Sequence, residues 1–145
     1  MSWPTPRPGL VIRYSYLWRR EAAQGRDEGG KERPCAIILA LRKLDGADKV
    51  FVLPVTHSPP LRPGDAVPLP AAVKKRLGLD EAPSWVVLTE TNSFIWPGPD
   101  LRVPPGGTVE EAAYGFLPPR LFRQIRDRFL ERLQSRQAGL VPRDG

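Results

Sequence analysis

The sequence predicts a mainly β, α+β domain: a small, curled, antiparallel sheet with one short helix and one longer C-terminal amphipathic helix. Three observations carry that expectation. Short apolar, β-branched runs recur along the chain, each about the length of a buried strand. The 18 prolines interrupt ladders and helix interiors alike, which favours short strands joined by stiff loops. Only near the C-terminus do apolar residues hold a sustained helical spacing.

In chain order, residues 1–8 alternate proline with other residues and read as an extended arm. Residues 9–18 have the aromatic and β-branched character of a first strand, and the polar, glycine-containing stretch 19–32 reads as a long loop placed like a lid. The runs 33–41 and 50–58 follow, joined by a polar link containing Asp45-Gly46 that suits a hairpin. Residues 66–69 form an edge strand. A short helix spans 70–78, with a proline near its start, cations in its last turn and a glycine just past it. The apolar run 84–90 is a further strand, continued or followed by another to Trp96, and 114–117 adds a last short one. Leu121, Phe122, Ile125, Phe129 and Leu133 make one stripe of the final helix, against a face rich in arginine. The expected organisation is an arm (1–8), one domain (9–136) and a flexible tail (137–145).

Composition narrows the function classes. A single cysteine excludes an internal disulfide and a cysteine-rich zinc site. The N-terminus has no apolar signal core and no run approaches the ~20 apolar residues of a membrane span, so the expected compartment is the cytoplasm. The net charge of +6 favours a polyanion or an acidic protein as partner.

The hairpin geometry has a chemical consequence. In an antiparallel pair the start of one strand lies beside the end of the next, so Arg33 should meet Thr56 and His57. A cation over developing negative charge, a hydroxyl donor and a proton carrier are what attack on a phosphodiester requires. Glu90 competes with His57, the only histidine, for the proton-carrying role. RNA brings its own nucleophile, the 2′-hydroxyl, so neither a serine triad nor a metal or other cofactor is required. No metal-ligand spacing or Gly-rich phosphate loop occurs. Asn92 and Trp96 could bond to and stack on unpaired bases, and Arg13 and Arg42 are further candidate RNA contacts.

Taken together, the glycine-led first strand, the polar loop, Arg33-Pro34 opening a strand, Leu53-Pro54-Val55-Thr56 closing one, a strand ending near Glu90 and the C-terminal helix resemble the MazF/PemK toxins of bacterial toxin-antitoxin systems, over residues 8–133. The resemblance implies an SH3-like β-barrel, a homodimer, metal-independent cleavage of single-stranded RNA, and an acidic antitoxin partner. It puts the catalytic arginine at Arg33, the catalytic threonine at Thr56 and a carboxylate near Glu90. Where some members carry a second arginine, this chain has Leu88. Two other readings of the same residues stand beside this one: an inactive barrel that binds nucleic acid or a protein, and an interaction module dimerising through Phe94 and Trp96. A structural reading of Arg33 makes it the partner of a loop carboxylate such as Glu28.

Overall fold

The computed structural model describes residues 2–26, 29 and 31–144. Its strands are β1 (Leu10–Ser15), β2 (Glu32–Arg42), β3 (Asp48–Thr56), β4 (Ala66–Pro68), β5 (Trp85–Val87), β6 (Glu90–Ile95), β7 (Ala113–Phe116) and β8 (Gly139–Pro142). The helices are α1 (Arg19–Ala23), α2 (Ala71–Arg76) and α3 (Pro119–Gln134). The architecture is α+β, dominated by antiparallel pairing. Neighbours run in the order β4-β5-β3-β2-β1-β7, with β6 added on β3 and β8 on β6.

The long hairpin β2–β3 is the centre of the sheet, and its side chains alternate between two cores as the period of a strand requires. Ala36, Ile38, Leu53 and Val55 enter one core, which α3 covers with Ile125 and Phe129. Cys35, Ile37, Val50 and Val52 enter the other, with Ile12, Tyr14, Tyr16 and Phe94. Cover on both faces explains why these strands read as nearly continuous apolar runs. Burial pushes the Cys35 thiol well above its ordinary range, so it is an inert packing group.

Several expectations are corrected here. The sheet does not close into a barrel: β4 and β7, the ends of the path, do not pair with each other. β4 is only three residues long and ends at Pro68, which has no N–H to offer a further strand. The strand expected to end near Glu90 stops at Val87, and of the two readings of its continuation a second strand, opened by Glu90, is the one found: β5 pairs with the end of β3 and β6 with its beginning, and the chain steps between them at Leu88 and Thr89. The polar stretch 19–32 begins with a helix, α1, and residues 27, 28 and 30 of it lie outside the described residues.

The segment 137–145 is not a frayed tail over its described part. β8 runs parallel to β6 with Gly139 opposite Glu90 and Val141 opposite Asn92, and Val141 is buried. Phe94 is also buried, stacked on Tyr14 at 4.7 Å, so it is a core residue and not a surface for dimerisation. Leu133, by contrast, drops off the α3 stripe and is exposed.

Candidate functional site

Arg33 and Thr56 come together because β2 and β3 are held in antiparallel register, with Cys35 opposite Pro54 two residues further in. The Arg33 guanidinium reaches the Val55 carbonyl with Nη1 at 3.5 Å and lies 4.9 Å from the centre of the Trp18 ring. That contact with the ring face restrains the guanidinium. Its Nε is buried and has no hydrogen-bond partner among the described residues. The Thr56 hydroxyl accepts the Ser58 N–H at 3.1 Å, a local turn bond that leaves the hydroxyl proton available to donate.

Glu90 opens β6. It accepts the Arg19 N–H at 2.8 Å and the Tyr16 hydroxyl at 3.1 Å, both through Oε1. Burial raises its carboxyl above the ordinary range, and these two hydrogen bonds counter only part of that shift. His57, just past β3, rests with Nε2 2.9 Å from an Asp80 oxygen.

These four side chains line one cleft of about 430 Å³, together with Trp18, Arg20 and Lys31. Asp65 also borders it, but is paired with Arg132 at 2.9 Å. The cleft is therefore a cationic recess with one carboxyl of raised affinity for its proton. A second recess of about 300 Å³ adjoins it, sharing Lys31, Arg33 and His57.

The other candidates separate. Arg13 lines the second recess, where its guanidinium lies 4.1 Å from the Tyr114 ring centre, donates to the Tyr114 hydroxyl and the Glu111 carbonyl, and pairs with Glu32 at 3.6 Å. Arg42 sits at the other end of β2, nine residues or about 30 Å from Arg33, and pairs with Asp48 at 2.7 Å. Trp96 is at that far end too, its N–H donating to the Asp48 carbonyl and its ring packed near Phe94. Asn92 is completely buried: its side chain accepts the Leu17 N–H and donates to the Leu17 carbonyl, so no base edge can reach it. Arg42, Asn92 and Trp96 are therefore not part of the cleft. Both faces of β6 are covered from Thr91 to Phe94, so Asn92 is buried, which no local feature of the sequence announces.

Leu88 is buried in the α3-covered core, so no cation enters the cleft from that position. Arg20, from α1, and Lys31, just before β2, line the cleft instead. They were legible only as charges in the polar stretch 19–32, and Trp18 only as the end of a strand. Asp80 left no signal at all, because its link to His57 spans 23 residues and is purely tertiary. Glu28, the proposed loop partner of Arg33, lies outside the described residues. Among the described residues no group of three or more His, Cys, Asp or Glu could hold a metal ion, and no helix is long and apolar enough to cross a membrane.

Fold and site together define an α+β protein with a cationic cleft, bordered by a partly buried carboxyl, at one end of its central hairpin. Comparison with family models, curated proteins and solved structures finds no match for the chain.

Proposed function

We propose that this chain is an endoribonuclease of MazF/PemK-toxin type, cutting single-stranded RNA without a metal by attack of the RNA's 2′-hydroxyl on the adjacent phosphorus. The observation that supports it is the convergence of Arg33, Thr56, His57 and Glu90, drawn from three strands and a loop, on one cleft that also holds Arg20 and Lys31. In this reading Arg33 stabilises the charge that develops on the phosphoryl oxygens, and Thr56 donates its hydroxyl proton to one of them. His57 takes the 2′-hydroxyl proton as base. Glu90, whose partly buried carboxyl holds its proton more tightly than usual, supplies one to the leaving 5′-oxygen. The 2′-oxygen–phosphorus bond forms as the phosphorus–5′-oxygen bond breaks, leaving a 2′,3′-cyclic phosphate and a 5′-hydroxyl. A cytoplasmic homodimer restrained by an acidic antitoxin completes the reading, and the net charge of +6 is in keeping with both partners.

Leu88 favours a second reading, a non-catalytic module that binds nucleic acid or protein through the same cleft, since it removes a cation that some toxins use. Incubation with a long single-stranded RNA in excess chelator separates the two. Discrete cuts are the expected result. Intact but retarded RNA would install a nucleic-acid-binding module, and RNA neither cut nor retarded would remove both RNA readings and leave only a module that binds protein.

A further inference from the structure

We infer that Asp80 is the positioning residue for His57: its carboxylate, anchored from beneath by Lys74, holds the imidazole in the form protonated on Nε2 and leaves Nδ1 as the atom that accepts the substrate's proton. The role of Nδ1 rests on the endoribonuclease reading, whereas the Asp80–His57 pairing rests on geometry alone.

Lys74 projects inward from α2 and is only 4% exposed. A buried ammonium is costly unless its donors are used. Here they are: Nζ donates to Asp80 Oδ1 at 2.8 Å, to Ser84 Oγ at 2.6 Å and to the Ala82 carbonyl. The same Asp80 Oδ1 accepts the Ala82 N–H at 3.2 Å. Oδ1 is thus occupied by the protein interior, and the half-exposed His57 ring sits with Nε2 2.9 Å from Oδ2 and 3.1 Å from Oδ1. The hydrogen bond from Lys74 is the main reason that the Asp80 carboxyl lies below its ordinary range, so it is an anion at neutral pH.

A ring nitrogen facing a carboxylate must carry a proton to make a hydrogen bond, and a neutral imidazole has only one. The lone pair is then on Nδ1. His57 borders both recesses beside Arg33 and Lys31, and in this inference Nδ1 is the atom that meets a substrate lying across them. Base, orienting carboxylate and an anchor for the carboxylate form a hydrogen-bonded series of the kind that fixes a base in one tautomer.

Asp80→Asn is the informative substitution, because the interior dictates which way the new amide points. Its carbonyl must stay on Lys74 and the Ala82 N–H, which turns the NH2 group toward His57. Nε2 is nearer to that NH2 group, at 2.9 Å against 3.1 Å to Oδ1, which favours Nε2 as acceptor and moves the ring proton to Nδ1. His57 is the only histidine, so ¹⁵N spectra of the full-length chain contain a single imidazole. At about pH 8.5, above the ordinary imidazole range, the wild type is expected to carry its proton on Nε2 and the Asp80→Asn protein predominantly on Nδ1. In RNA cleavage kcat should fall about ten- to a hundredfold, with KM within about twofold. Asp80→Glu should recover part of the loss, and in a His57→Ala background Asp80→Asn should cost nothing more. The same tautomer in both proteins would overturn the inference, as would a loss that persists in the His57→Ala background. If the wild type cuts no RNA, the endoribonuclease reading and the role of Nδ1 fall, while the spectra still decide whether Asp80 sets the tautomer.

Discussion

Arg33→Ala is expected to lower kcat/KM for RNA cleavage by about 10²- to 10³-fold, the usual effect of removing one preorganised donor from a site of developing negative charge. The guanidinium is held on the face of Trp18 and brings a buried Nε without a hydrogen-bond partner among the described residues, so its geometry is set before substrate arrives. Arg33→Lys should recover little, since an ammonium restores the charge but neither the planar fork nor the stacking. Arg42→Ala is the matched control. It removes an arginine from the same strand, but one that is exposed, paired with Asp48 and far from the cleft. Its expected effect is about 0–1 kcal/mol on stability and no change in cleavage. Equal losses in Arg33→Ala and Arg42→Ala would point to general attraction of RNA by positive charge and not to a defined centre.

The second large effect concerns stability. Arg143→Ala is expected to destabilise the protein by about 3–5 kcal/mol, the range for removing one partner of a buried ion pair. The Arg143 side chain is 2% exposed and pairs with Asp100 at 3.1 Å, itself largely buried. It also donates to the Ser15 carbonyl at 2.8 Å and to Asn92 Oδ1 at 3.1 Å. Without it, Asp100 keeps a charge away from water and Asn92 loses a donor. The consequence extends toward the cleft, because Asn92 clips Leu17, and Trp18 and Arg19 next to it contact Arg33 and Glu90. Urea unfolding of wild type and variant measures the loss, and a difference below about 1 kcal/mol would show that the last strand is an accessory and not part of the fold's frame.

That last strand also marks where sequence reasoning reaches its limit. The hairpin, the C-terminal helix and the meeting of Arg33 with Thr56 were legible because each follows from a local signal: a strand-length apolar run, a helical stripe, an Asp-Gly link. Gly139-Leu140-Val141-Pro142 carries too few residues for any periodicity, and what makes it a strand is the neighbouring edge of β6 and the buried site waiting for Arg143. Asn92 misled for a related reason. On its own it is a polar residue beside aromatics, suited to reading a base, and only the fold reveals that its amide is consumed by the Leu17 backbone. Barrel closure was expected from the resemblance alone and fails at the two short outer strands. The site was half visible: strand ends placed four of its groups, while Trp18, Arg20, Lys31 and Asp80 depend on how the loops fold back over the hairpin end.

The claim at the centre of this account is that the RNA's own 2′-hydroxyl is the nucleophile in the cleft formed around Arg33. The most direct measurement replaces the single nucleotide on the 5′ side of a mapped cut with its 2′-deoxy form and repeats the digestion with chelator present. The account predicts that cleavage disappears at that linkage, continues at the remaining sites, and leaves cyclic phosphate ends there. Cleavage that persists at the deoxy position would show that water or a protein group is the nucleophile, and would contradict the account.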